Sequence, residues 1–206
     1  MKVLLINGSP HKNGCTNAAL SEMARVLEEC GVSAEIFHIG SKPVGGCVAC
    51  GACKTLGKCA FDDSVNLCLP KLAEADGVVF GSPVHYAAAA GSMSGFMHRL
   101  AIAGGSSLQF KPAAVVASAR RAGTTATLDE LVKVPQFFNM PLINGNYWSM
   151  VHGVSAEDVA KDEEGLQVVR NIARNMAWIL KSIEAGKAAG VEQPVNEPKI
   201  KTNFIR

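Results

Sequence analysis

Val3-Leu4-Leu5-Ile6-Asn7-Gly8-Ser9-Pro10-His11-Lys12-Asn13-Gly14-Cys15-Thr16-Asn17 is the stretch that decides the fold. Four successive aliphatic residues leave no polar face, the pattern of a strand buried on both sides of a parallel sheet. They run directly into a loop bounded by Gly8 and Gly14, and Leu20, Met23 and Leu27 then share one helical face. The start of such a helix carries unsatisfied N–H groups and partial positive charge, so it stabilises an anion. Ser9, His11, Asn13, Cys15, Thr16 and Asn17 surround that point. Short hydroxyl and amide side chains suit a phosphate monoester, which needs several donors converging on one tetrahedral centre. The plainer alternative is an ordinary strand–helix turn with Thr16 or Asn17 near the cap.

Outward from this unit the alternation repeats. Val78–Phe80 and Ala113–Ala117 are further near-continuous apolar runs, Leu142–Ile143 is a shorter one, and Ala34–Ile39 interleaves Glu35 and His38 and so belongs at an edge. From Leu166 to Ile183 one apolar stripe persists over five helical turns. The pattern predicts strands over 2–7, 33–39, 77–81, 111–118 and 139–145, and helices over 15–30, 64–75, 92–103, 125–134 and 155–186. This is an α/β class: a flavodoxin-like, doubly wound, five-stranded parallel sheet of order 2-1-3-4-5 with helices on both faces. Residues 1–186 read as one domain with a cysteine-rich insertion at 40–63. Residues 187–206, with Pro194 and Pro198 and no periodicity, read as an extended tail, either disordered or lying over a neighbouring subunit. Ligands of such sheets bind beyond the carboxyl ends of the strands where the order reverses, so the loops Asn7–Gly14, Gly81–Ala87 and Ser118–Thr124 are expected to meet.

Composition narrows the function. Of 206 residues, 48% are hydrophobic and 18% charged, which excludes intrinsic disorder. Twenty Lys and Arg against 18 Asp and Glu leave a net charge of +2, too small and evenly spread for a nucleic-acid surface. The uncharged stretch Gly77–His98 is broken by glycines, Pro83 and His85, so no membrane span is expected. No export signal is visible, and a cytoplasmic, reducing location is expected, where disulfides are rare. The glycine spacing at 8 and 14 does not fit a nucleotide P-loop, no G-x-G-x-x-G is present, and no G-x-S-x-G hydrolase elbow occurs.

Gly8-Ser9-Pro10-His11-Lys12-Asn13-Gly14-Cys15-Thr16 resembles the G-S-P-R-x-x-G-N-T loop of NADPH-dependent FMN reductase-like flavoproteins, and Gly81-Ser82-Pro83-Val84-His85-Tyr86 resembles that family's G-S-P-V-Y-Y segment. The resemblance spans roughly residues 1–150. It implies non-covalent FMN, with Ser9, Thr16, Asn17 and nearby backbone on its phosphate and Pro83, Val84, His85 and Tyr86 beside the ring. The family's Arg is His11 here and its Asn is Cys15, which weakens one charged phosphate contact. Ser118, Arg120, Arg121 and Gly123 form the third loop. The arginines suit charge on a reduced flavin or the phosphate of a nicotinamide donor, or else form a solvated basic pair. No catalytic acid–base residue is expected, because a flavin carries its own chemistry.

The connection 40–63 is far longer than the ~2–6 residues usual in α/β units. It holds Cys47, Cys50, Cys53 and Cys59 within thirteen residues. Three thiolates at C-x₂-C-x₂-C spacing fit three corners of a cuboidal cluster, and a fourth cysteine completes the set. Zinc and metal-free thiols remain open as alternatives. The motif is similar to the compact cysteine motif of iron–sulfur flavoproteins in the same superfamily, which implies a [4Fe–4S] cluster exchanging electrons with FMN, often in an oligomer. The expected function is an FMN-dependent oxidoreductase. Its donor would be a reduced nicotinamide or a ferredoxin-type protein, its acceptor a small molecule such as a quinone or oxygen, and its assembly a homo-dimer or homo-tetramer. A non-catalytic electron carrier and a phosphate-ligand sensor with a zinc-braced loop are the rival readings.

Overall fold

The computed structural model describes residues 1–205. In chain order the elements are β1 Lys2–Asn7, α1 Cys15–Glu29, β2 Ser33–His38, α2 Cys53–Leu56, α3 Ser64–Glu74, β3 Gly77–His85, β4 Ala88–Ala89, α4 Gly91–Gly104, β5 Ala113–Ala119, α5 Thr124–Leu131, α6 Lys133–Phe137, β6 Met150–His152, α7 Ala156–Val159 and α8 Glu163–Ala188. The sheet order is β2-β1-β3-β5-β6, all parallel, with the two-residue β4 pairing antiparallel on β3. With β4 set aside, this is the expected 2-1-3-4-5 order.

Successive strand residues point to opposite faces, so the apolar runs build two cores at once. Leu4 and Ile6 of β1 and Val78 and Phe80 of β3 pack with Leu72 of α3 and Met93, Phe96 and Leu100 of α4. Val3, Leu5 and Val79 pack on the other face with Leu20, Met23 and Leu27 of α1 and Val169, Ile172 and Met176 of α8. No helix among the described residues is long and apolar enough to cross a membrane.

The fifth strand departs from the sequence reading. Instead of one strand over 139–145, two separate segments share the outer side of β5. Ala113 donates to Pro141 O at 2.9 Å and its carbonyl receives Ile143 N–H at 2.8 Å. The chain then leaves the sheet and returns as β6, where Met150 stands opposite Ala117 and His152 opposite Ala119. The polar run Asn144-Gly145-Asn146 supplies the detour. Asn175 and Asn171 of α8 hold Asn144 O and Asn146 Oδ1, each at 2.8 Å. Gly145 lies so close to Val168 O that a Cβ would sit 3.0 Å from it.

Two expected helices are also divided. The stretch 155–186 becomes α7 and α8, with Ser155 capping one and Asp162 the other. The stretch 125–134 becomes α5 followed by α6. After Ala188 the chain to residue 205 has no regular structure. Asn196 bonds to Asn139 and Gln109, and the Lys199 ammonium lies over the Phe137 ring.

Glu35 makes β2 an edge strand. Its carboxylate pairs with Lys2 at 2.7 Å and Lys71 at 2.5 Å. The Lys2 hydrogen bond first, and then that of Lys71, holds this carboxyl below its usual range. A carboxyl depressed in the folded state stabilises the fold above its unfolded value of about 4.3, and that contribution disappears as pH falls through the folded value. Glu35→Gln is therefore expected to cost less than about 1 kcal/mol at pH 7. It should also flatten the loss of stability below about pH 4.3 in urea titrations.

Candidate functional site

Asn7 closes β1 and is fully buried. Its Oδ1 accepts Ser9 N–H at 3.0 Å, while Nδ2 donates to Lys12 O at 3.2 Å and to Asn17 Oδ1 at 3.4 Å. One side chain thus braces the loop from both sides. The sequence marks Asn7 as the end of the strand 2–7 and the start of the loop Asn7–Gly14 but assigns its side chain no role, although an amide closing an aliphatic run is the available signal. Ser9 is buried; its Oγ accepts His11 N–H at 3.1 Å, and its carbonyl meets His38 Nε2 at 2.8 Å. His11 and Asn13 stand exposed at the rim.

α1 begins after Gly14 with no side-chain cap and no acidic residue in its first turn. Its first ladder bond is Ala18 N–H to Gly14 O at 3.0 Å, so the N–H groups of Cys15, Thr16 and Asn17 precede the ladder. Burial pushes the Cys15 thiol up, and its sulfur lies 3.4 Å from Gly153 O. A neutral thiol adds no negative charge to this helix start. Thr16 is buried, with its Oγ1 2.8 Å from Ser118 Oγ at the end of β5. That contact ties the first loop to the third, and Gly8 N–H to Gly81 O at 2.8 Å ties it to the second.

The second loop is more ordered than the sequence suggested. β3 runs on to His85, four residues past its expected end, and turns back at Tyr86-Ala87 into β4. Tyr86 and Ala87 have φ of +52° and +59°. A two-residue hairpin turn with both central residues at positive φ normally uses Asn-Gly, and other L residues there cost about 1–2 kcal/mol each. Such strain persists where surrounding contacts impose it. Here Ser82 Oγ accepts Ala90 N–H at 3.0 Å and donates to Pro83 O at 2.9 Å. Glu130 of α5 accepts Ala89 N–H at 2.8 Å and receives the Ser94 hydroxyl. Nothing in the sequence marks Glu130, because its partners lie 36 and 41 residues away. The turn presents Tyr86 fully exposed, with His85 exposed beside it and Pro83 and Val84 half-buried behind. Ala87→Gly should stabilise the protein by about 1 kcal/mol by relieving one positive φ. Urea unfolding checks this.

Gly123, at φ +90°, closes the third loop against this hairpin. Arg120 and Arg121 are exposed beside it. The three loops therefore meet beyond the carboxyl ends of the central strands β1, β3 and β5. A cavity of about 660 Å³ lies elsewhere, lined by residues such as Phe110, Pro112 and Ile183, and includes none of the predicted site residues.

The insertion 40–63 presents Cys47 and Cys50 exposed and Cys53 and Cys59 half-buried, none in a disulfide. Positive φ at Ala49, Gly51 and Gly57 bends the loop. Among the described residues, no three His, Cys, Asp or Glu side chains converge as ligands of a metal ion. Four unpaired thiols on one surface loop nonetheless fit a thiolate-held group in number and chemistry. The remaining thiols are placed differently: Cys68 is buried, its pKa pushed up to about 12 by desolvation, and Cys30 packs against the α1 core.

Residues 1–155 match the family model described as NADPH-dependent FMN reductase. The chain belongs to this family. Within this FMN reductase family it falls in the iron–sulfur flavoprotein branch. It is 30% identical to an iron–sulfur flavoprotein of Methanocaldococcus jannaschii, over 89% of this chain and 100% of that one. It is 24% identical to another from Methanosarcina thermophila, over 91% and 99%. Among solved structures, a flavodoxin, WrbA-like protein from Agrobacterium tumefaciens superposes with TM-score 0.63 at 14% identity, covering 88% of this chain and 98% of that one, which shows the shared fold.

Membership of the FMN reductase family makes the protein an FMN-dependent oxidoreductase. The residues present fit FMN. The uncapped α1 start offers its N–H groups to a phosphate. Gly123, where a Cβ would meet Ala87 and Val84, allows the third loop to close on the hairpin.

Proposed function

We propose that this FMN reductase-family member passes electrons from a reduced nicotinamide or a ferredoxin-type donor to a small acceptor such as a quinone or oxygen. We place FMN where the three loops meet and a [4Fe–4S] cluster on Cys47, Cys50, Cys53 and Cys59. Bound FMN supplies the chemistry, taking up two electrons and releasing them in one- or two-electron steps. The uncapped start of α1 carries this reading, since three N–H groups without an acceptor are what a phosphate needs.

In this reading Asn7 shapes the phosphate loop, and Thr16 and Ser118 lock it to the third loop. The strained hairpin sets Tyr86 and His85 beside the ring, and Arg120 and Arg121 attract the anionic donor and balance charge at the ring's polar edge. No side chain is assigned a proton-transfer step. The names of the two archaeal relatives and the four-cysteine loop support the cluster. The proposed assembly is a homo-dimer or homo-tetramer in a reducing cytoplasm, where the thiols stay available.

The test is anaerobic purification followed by a visible spectrum, acid release of cofactor and iron and sulfide analysis. Flavin bands with a broad shoulder, four iron and four sulfide per chain, and flavin bleaching on addition of NADH or NADPH are expected. Bleaching only by a reduced ferredoxin would turn the enzyme reading into an electron carrier. Colourless protein that takes up no added FMN would overturn the site assignment.

A further inference from the structure

Arg99 of α4 is a buried guanidinium that the three-loop site does not use. Its side chain is 2% exposed. Nε and Nη2 point at the Cys59 sulfur, at 3.3 and 3.1 Å. Nη1 and Nη2 donate to the two Asp63 carboxylate oxygens at 2.6 and 3.0 Å, Nη2 also reaches Phe61 O at 3.2 Å, and the Phe61 ring lies 5.0 Å away. The charge of Arg99 is thus already balanced by Asp63. Two further N–H groups on a neutral thiol, a weak acceptor, return little, whereas on a thiolate they form strong charge-assisted bonds.

The Cys59 backbone is held as well. Asn66 of α3 accepts its N–H and donates to its carbonyl, both at 2.9 Å. Two helices therefore fix both backbone and sulfur of Cys59, while Cys47 and Cys50 stand exposed.

We propose that Arg99 is a positioning residue that presets Cys59 as the anchored ligand of the cysteine loop and lends its sulfur two hydrogen bonds that favour the reduced state of the bound iron–sulfur group. The inference rests on the cluster reading above. Its physical basis is that donors to a ligand sulfur withdraw negative charge and so ease the uptake of another electron.

The test uses the full chain, purified anaerobically with its cofactors, as wild type, Arg99→Met and Arg99→Lys. Iron, sulfide and FMN per chain are measured together with the midpoint potential of the iron–sulfur group. Arg99→Met is expected to keep FMN and either lose iron or shift the one-electron equilibrium about tenfold toward the oxidised form, about 59 mV downward. Arg99→Lys, which keeps charge and a donor, should recover part of either effect. If Arg99→Met retains no FMN because folding fails, the potential of Arg99→Lys decides, and it must lie below that of wild type. Full iron with unchanged potential in every variant that retains FMN overturns the role of Arg99 alone. Wild-type protein with FMN but without iron and sulfide overturns the cluster reading, and this inference with it.

Discussion

Phe96→Ala is expected to lower the unfolding free energy by about 3–5 kcal/mol, the range for truncating a fully buried phenylalanine. Phe96 is fully buried among Leu4, Ile6, Phe80 and Leu100, with the Phe37 ring 6.2 Å away. Those partners come from β1, β3 and neighbouring α4 turns, so the hole cannot close by moving one side chain. A typical domain has about 5–15 kcal/mol in total, so the variant should be close to its limit at 37 °C. The effect should also reach both candidate sites. Met93 of the same helix packs under Gly8, Gly95 abuts the Val44 carbonyl at the start of the insertion, and Arg99 holds Cys59. In urea the midpoint should fall at nearly unchanged slope, with FMN released at lower urea than in wild type. A loss below about 1 kcal/mol would contradict the packing described for α4.

The second large effect is on the proposed FMN site. Gly123→Ala places a Cβ 2.8 Å from Ala87 Cα and 2.9 Å from Val84 Cγ1 at a φ of +90°. The first obstacle is backbone in a turn already held at positive φ, so nothing soft is available to yield. The added strain alone is about 1–2 kcal/mol. Because the third loop and the hairpin are pushed apart at the proposed ring site, FMN affinity should fall at least tenfold, about 1.4 kcal/mol. Titrating FMN into apoprotein and following its fluorescence measures this. Affinity within twofold of wild type would mean that the two loops do not jointly bound the flavin.

Residues with local meaning were legible in the chain. The aliphatic run Val3–Ile6 can be satisfied only between two layers of helices, and Gly8 to Thr16 marks the turn into a helix whether or not anything folds around it. The parallel order, the edge position of β2 and the meeting of three loops followed from that alternation. The cysteine spacing likewise announced its chemistry, because ligand type and short separation are properties of the chain itself.

What the chain could not disclose depends on partners distant in sequence. The short apolar run Leu142–Ile143 is satisfied equally by a strand or by a brief touch on β5. Only the asparagines of α8, reaching Asn144 and Asn146, settle that the sheet is completed later by Met150–His152. Tyr86-Ala87 lacks the Asn-Gly signature of its turn, and Glu130 and Ser82 impose that turn from outside it. Arg99 is a charged residue within the expected helix 92–103, yet it is buried against Cys59, forty residues earlier. Local propensity and pattern are written in neighbouring residues, while strain, burial of charge and the fixing of a ligand sulfur arise only when distant segments pack, and there the tertiary structure decided.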